Sequence, residues 1–247
     1  MKRIVVILLC MAFLLGIAGC GADDGLTASV QKVSEIMGVG AVGLSNRYSG
    51  VTVASVEEKI YKDEHGTVAE CAVQAGDDDL LAGMGYAGAT YRPGAAWKPF
   101  VTGAVYGLTG DRDGDRGKHA WHSVFNRETG LGESIVPMYT KYNYTNLIYP
   151  HLAAGCAVGE ATSVKSQLGP LFAPVSESRP DDGEYGNYRG FYVQVKCETK
   201  LDALTGCEWL KDTRFVLQGE YFEKGDYFAD GSDGPALFGR CELSWKF

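Results

Sequence analysis

The last eleven residues of the chain alternate between apolar and polar side chains with a period of two. Because successive side chains of a β-strand point to opposite faces, this segment predicts a strand with one apolar and one polar face. Such a strand suits the half-buried edge of a soluble sheet or the wall of a membrane barrel, where apolar residues face lipid and polar residues face the lumen. The apolar set is Leu237, Gly239, Cys241, Leu243, Trp245 and Phe247, and the intervening set is Phe238, Arg240, Glu242, Ser244 and Lys246.

Comparable runs recur along the chain, most of them about 9 to 13 residues long, which a tilted membrane strand needs and which exceeds the usual strand of soluble sheets. The chain contains 33 Gly and 14 Tyr but 8 Pro, a balance that favours many paired strands joined by turns. One predicted strand begins near residue 67, and the last is the terminal segment. The others span residues 80–93, 97–110, 132–141, 144–157, 162–172, 187–201 and 214–222.

The predicted connections fall into two classes. Two are short, at residues 94–96 and 142–143, whereas three are long and polar, at residues 110–131, 174–186 and 223–235. Short turns on one side and long loops on the other are typical of outer-membrane barrels. We therefore expect an all-β fold, an antiparallel up-and-down transmembrane β-barrel of about eight to ten strands.

Closure of this barrel is a separate question. Residues 51–61 alternate poorly, but a strand there would bring the predicted strands to an even number, which is typical of bacterial barrels. An open sheet in hydrocarbon leaves unpaired backbone groups, each costing several kcal/mol. The sequence thus leaves three alternatives: the barrel closes on itself, assembles as a homo-oligomer, or is incomplete. A closed barrel of this size has an interior largely filled by side chains.

The first residues predict a targeting segment. Lys2 and Arg3 precede an apolar run over residues 4–15, which is too short for a spanning helix. The following Ile17-Ala18-Gly19-Cys20 resembles the lipobox of bacterial lipoproteins, which implies a signal peptide over residues 1–19 and lipid attachment at Cys20. An ordinary signal peptide with an incidental cysteine is the alternative. We expect a linker over residues 20–47.

Residues 48–79 predict a short β segment. This part of the chain resembles the start of the periplasmic adaptor, or membrane-fusion, family of efflux systems, which implies a lipoyl-like β-domain. The similarity does not continue after Asp77, where that family has a second lipoyl motif and a helical hairpin. The residues that carry the resemblance are Asn46-Arg47-Tyr48-Ser49-Gly50-Val51, Gly66-Thr67-Val68, Val73 and Ala75-Gly76-Asp77.

Residues 80–247 resemble the C-terminal part of outer-membrane porins related to the alginate-export type. The matching motifs are Trp97-Lys98-Pro99-Phe100, Gly110-Asp111, Trp121-His122-Ser123-Val124-Phe125, Tyr144-Thr145-Asn146-Leu147, Gln194-Val195-Lys196 and the block from Gly219 to Tyr227. The terminal Leu243, Trp245 and Phe247 look like the closing signature of outer-membrane barrels. Such porins have more strands than this chain supplies, so the resemblance implies a membrane barrel without implying an open pore. The two resemblances together leave open that the chain is a mosaic.

The polar faces of the terminal strands provide the candidate functional residues. Their mixed charges are expected to pair across the interior, where they would either plug it or line a narrow polar path. The residues expected to face the lumen are Tyr192, Gln194, Lys196, Glu198, Lys200, Arg240, Glu242 and Lys246.

Catalytic and metal motifs are weak in this sequence. Asp111, Asp113 and Asp115 could converge on Ca²⁺, but an EF-hand loop starting at Asp111 would need Gly and Glu where Arg116 and His122 stand, so a solvated acidic loop is favoured. No nucleophile elbow or phosphate-binding glycine loop occurs. We expect no enzymatic activity, no cofactor and, at a formal net charge of −8, no nucleic-acid partner.

The sequence therefore favours a porin-like protein of the outer membrane of a Gram-negative-type bacterium, with membrane lipid as its partner and a role in passive transport or envelope structure. It identifies no solute or efflux partner. Two alternatives stay open: a lipid-anchored periplasmic adaptor subunit of an efflux or secretion system, and a soluble β-rich lipoprotein.

Overall fold

The residues that the structure describes form one antiparallel sheet of eleven strands. The computed structural model describes residues 41–42, 46–48, 51–62, 66–76, 80–111, 119–121, 145–176, 186–228 and 234–245. The strands are β1 (Ala41–Val42), β2 (Asn46–Tyr48), β3 (Val51–Lys62), β4 (Thr67–Gly76), β5 (Leu80–Tyr91), β6 (Phe100–Leu108), β7 (Leu147–Val158), β8 (Thr162–Phe172), β9 (Tyr188–Lys200), β10 (Arg214–Lys224) and β11 (Ala236–Ser244).

From β3 to β11 each strand pairs with its neighbours in sequence, and β1 and β2 both pair with β3. The expected all-β, antiparallel, up-and-down architecture is therefore confirmed. Among the described residues β11 has no pairing with β1, β2 or β3, so the sheet is open. The stretch expected to form a separate β segment belongs to this sheet, since β4 pairs with β5 from Thr67 to Gly76.

Two differences concern strand boundaries. The segment 51–61, which alternates poorly, does form strand β3. Strand β6 begins at Phe100, later than the expected residue 97, because Lys98 has a positive φ of 46° and Pro99 lacks a backbone N–H. The expected strand over residues 132–141 and the turn at 142–143 lie outside the described residues.

Alternating burial gives the sheet two distinct faces. On β11 the exposed positions are Leu237, Gly239, Cys241 and Leu243, and the positions between them are buried or half-buried. The face that carries Ala236, Arg240 and Glu242 is called the inner face, and the opposite one the outer face. This is the period of two that the terminal sequence predicts.

Many side chains on the inner face are buried. A single cluster of buried residues runs from Ala72 on β4 through Tyr149 and Tyr192 to Ala236 on β11. The described elements provide no second layer, since the short helix α1 (Leu201–Thr205) and the 3₁₀ turn after it contain no buried residues. The cluster continues from each strand to the next, and the ring contact between Tyr149 on β7 and Tyr192 on β9 passes over β8.

The strands are also strongly staggered. A row of directly paired residues starts near the last residue of β3. Six strands further on, it reaches the first residue of β9, at the opposite end of the sheet. Stagger of this kind tilts strands relative to the direction of curling, as barrels require. The row consists of Lys59, Cys71, Gly85, Gly107, Ile148, Phe172 and Tyr188.

The connections separate into two ends. One end, here called the short-connection end, carries residues 63–66, 92–99, 159–161 and 201–213. The other, the long-connection end, carries residues 77–79, 109–146, 173–187 and 225–235. The three polar connections that the sequence predicted to be long therefore belong to one end of the sheet, although the opposite end also has a long connection at residues 201–213.

The contact between β7 and β8 is interrupted where Pro150 lies opposite the segment around Pro170, because proline cannot donate to the ladder. Gly169 allows the two strands to come together at this point. A Cβ added there would lie 2.1 Å from the carbonyl oxygen of Pro150, so no larger residue fits without backbone movement.

Candidate functional site

Aromatic side chains fill the centre of the inner face. Tyr149, Tyr192 and Phe222 have no exposed surface. The rings of Tyr149 and Tyr192 meet edge to face with their centroids 6.1 Å apart, and His151 stacks on Tyr149 at 4.5 Å. The contact between Tyr149 and Tyr192 joins β7 to β9, although β8 lies between these two strands. The middle of the inner face is therefore packed with side chains.

A polar cluster lies beside these rings on β9 and β10. The Glu220 carboxylate accepts hydrogen bonds from the side-chain amides of Gln194, at 3.1 Å, and of Gln218. Gln194 also donates to the hydroxyl of Tyr192 at 2.9 Å. Gln194, Gln218 and Glu220 are each less than a tenth exposed. Buried polar groups are stable when they are hydrogen-bonded in this way.

Charged side chains occupy the inner face nearer the short-connection end. Glu198 on β9 forms an ion pair with Arg214 on β10 at 3.1 Å. Arg240 pairs with Glu242 on its own strand. The sequence suggested that these charges pair across the interior, but the described ion pairs join residues on the same or adjacent strands.

The sequence-predicted lumen residues lie on one face of β9 and β11, with burial that decreases toward the short-connection end. Tyr192 and Gln194 are buried, Lys196 and Glu198 are half-buried, and Lys200 is exposed. Arg240 and Glu242 are half-buried. Lys246 lies outside the described residues. Of the terminal signature, Leu243 and Trp245 are exposed on the outer side, and Phe247 lies outside the described residues.

Several inner-face residues were not singled out from the sequence. Gln218 and Glu220 could have been, because they alternate with Leu217 and Gly219 along β10. Lys165 could also have been, because it shares the alternation of β8. Each belongs to a strand that the sequence did predict. The alternation that identified the polar face on β9 and β11 also identifies it on β8 and β10.

For Arg189, no alternation in the sequence indicated a functional or structural role. It is 1% exposed, and its Nη1 donates to the carbonyl oxygens of Thr145 and Asn146 at 2.8 and 2.5 Å. Its guanidinium lies 5.1 Å from the centre of the Tyr227 ring. The Asn146 amide donates to Val175 O and to the Tyr227 hydroxyl. The contacts of Arg189 and Asn146 thus link three connections at the long-connection end.

The structure describes one of the three acidic residues considered as calcium ligands, and five of the cysteines. Asp111 accepts hydrogen bonds from the backbone of His119 and Ala120, and Asp113 and Asp115 lie outside the described residues. In the part of the chain that the structure describes, His, Cys, Asp and Glu form no group of three suited to a metal ion. Cys20 lies outside it, and no disulfide joins the five described cysteines: Cys71, Cys156, Cys197, Cys207 and Cys241.

The outer face carries large apolar side chains that are exposed. Leu152, Leu168, Val195 and Leu217 lie in the middle of four successive strands and are between 41% and 58% exposed. Leu152 and Leu168 are direct cross-strand partners. Contiguous exposed apolar surface of this kind marks a binding or membrane-contacting surface.

Exposed aromatic residues border this apolar band. At the short-connection end they are Tyr91, Trp97, Trp209 and Trp245, each more than half exposed. At the long-connection end, the exposed Phe172 lies with its ring 5.7 Å from that of Tyr188. A strand of the length of β8, tilted as in barrels, places its two ends about 25 Å apart along the barrel axis.

Comparisons with protein-family models, with curated proteins and with solved structures find no match to this chain. None of the helices in the described segments has the length and apolar character needed to cross a membrane.

Proposed function

We propose that this protein is an outer-membrane β-barrel whose interior is largely filled and whose role is mainly structural in the cell envelope. Passage through it is restricted to small solutes at most. The chain closes on itself or assembles with further copies, and membrane lipid covers its outer face. Lipid attachment at Cys20 would add a second anchor.

The observation that carries this proposal is an exposed, apolar outer face, combined with an inner face that buries polar side chains beside its aromatic ones. Gln194, Gln218 and Glu220 are buried on the inner face, while Leu152 and Leu217 are exposed on the outer face. A soluble sheet with one buried face places its apolar residues inside and its polar residues outside. A membrane barrel has the opposite arrangement, with apolar residues toward lipid and polar residues inside.

Three further features support the proposal. Exposed aromatic residues lie at both ends of the strands, where membrane barrels have aromatic girdles, and strands as long as β8 would cross the apolar band of such barrels if they were tilted as barrel strands are. The stagger of the strands is the kind that barrel closure needs. The three connections predicted to be long and polar belong to one end of the sheet, as the external loops of outer-membrane proteins do.

The packed inner face argues against an open pore. Tyr149, Tyr192 and Phe222 leave no exposed ring surface, so a channel would have to displace at least one of them. We therefore expect the wild-type protein to insert into planar bilayers with little or no steady conductance. Tyr192→Ala should raise the frequency or size of openings, because it removes the ring that spans from β9 to Tyr149.

The matched control is Tyr221→Ala, since Tyr221 lies on the outer side of the neighbouring strand β10. It should leave the conductance as low as in the wild type. Large, stable wild-type channels would contradict the filled interior, and a failure of purified protein to insert under conditions that fold other barrels would contradict the membrane assignment itself.

A further inference from the structure

Two lysines face each other on the inner side of the sheet. Lys165 on β8 and Lys196 on β9 are direct cross-strand partners. Side chains in such positions have their Cβ atoms about 4.5–5.5 Å apart, and like charges placed there destabilise a sheet. Partial burial, and after it the positive charge of Lys196, lower the pKa of the Lys165 ammonium group. Lys196 is half-buried and Lys165 is exposed, so this pair is reachable from solution.

The carboxylates nearest to this pair along the inner face already have partners. Glu198, two residues from Lys196, pairs with Arg214. Glu220 accepts the amides of Gln194 and Gln218. Glu242 pairs with Arg240.

Among the described residues, no ion pair or side-chain hydrogen bond involves Lys165 or Lys196. Two adjacent positive charges therefore remain without a counter-charge in a chain whose formal net charge is −8. The row that contains them continues through Gln218 to Arg240, so no negative side chain follows on that side.

We propose that Lys165 and Lys196 together bind a small soluble oxyanion of the size of phosphate or sulfate. Each ammonium group offers three hydrogen-bond donors, and an oxyanion placed between them would neutralise their repulsion. The pair lies opposite the apolar outer face, so its ligand comes from solution rather than from a lipid headgroup. The site depends on one pair of adjacent strands and does not require the sheet to close.

The test uses the full chain folded in detergent micelles and titrated with inorganic phosphate at constant ionic strength, with binding followed by calorimetry. The wild type should bind phosphate saturably. Lys165→Gln and Lys196→Gln should each weaken binding by about tenfold or more, because each removes charge-assisted hydrogen bonds to the anion. Lys200→Gln is the matched control on the same face of β9 and should bind as the wild type does.

A second measurement guards against variants that merely misfold. Without phosphate, Lys196→Gln should leave the thermal midpoint unchanged or higher, since it relieves a repulsion. With phosphate that saturates the wild type, the midpoint should rise clearly less in the variant than in the wild type. Absence of saturable wild-type binding would overturn the proposal, and so would equal weakening by all three substitutions, which would show diffuse attraction instead of a site.

Discussion

Leu152→Arg should destabilise the bilayer-folded protein by about 2–4 kcal/mol, the usual effect of a lipid-facing arginine near the membrane midplane. Leu152 lies in the middle of β7 on the outer face and is 58% exposed. In a soluble protein, arginine at so exposed a position would change the free energy of unfolding by about 0.5 kcal/mol or less. Urea titration of protein folded into lipid vesicles measures the difference.

The matched control is Leu204→Arg. Leu204 is 62% exposed but lies in the short helix α1, outside the strands. Its substitution should have a small effect, because there the arginine can reach water or headgroups. If the two substitutions have equally small effects in vesicles, the outer face does not contact lipid and the alternative of a soluble β-rich lipoprotein is favoured.

Arg189→Met should destabilise the protein by about 3 kcal/mol, because it leaves buried carbonyl oxygens without their charged donor. The guanidinium of Arg189 joins the start of β9 to the residues that precede β7, and it lies against Tyr227 in the connection after β10. Methionine keeps much of the side-chain length and removes the donors. Urea unfolding again provides the measurement, and limited proteolysis should reveal loosened connections at the long-connection end.

Arg214→Met is the control for this prediction. Arg214 also forms a charged hydrogen bond, to Glu198, but its side chain is 56% exposed. Exposed ion pairs contribute about 0.2–1 kcal/mol, so its loss should be mild. Comparable effects of the two substitutions would show that the buried arginine does not hold these connections together.

The period-two alternation accounts for most of what the sequence predicted correctly. It located β5 to β11 closely wherever apolar and polar residues alternate, as on β9 and β11. It was weaker on β3, where residues 51–61 alternate poorly and yet form a long strand. There, β3 pairs with β4 along most of its length, and the hydrogen bonds of this pairing form a strand that the local alternation does not predict.

The contacts between strands were less predictable. The ion pair between Glu198 and Arg214 depends on the register of β9 against β10, and local alternation specifies a face but not a register. Arg189 is a stronger case, because its partners lie more than forty residues away and follow a long connection. The opposition of Lys165 and Lys196 likewise arises from the register of β8 against β9.

Heat-modifiability tests most directly whether the sheet is the wall of a membrane barrel. The full-length protein, extracted from isolated membranes, is run in SDS with and without boiling. Folded barrels resist SDS because their backbone hydrogen bonds are satisfied within a closed sheet. We expect membrane-associated protein whose unboiled form migrates differently from the boiled form. Protein recovered in the soluble fraction, with the same mobility in both samples, would contradict this expectation.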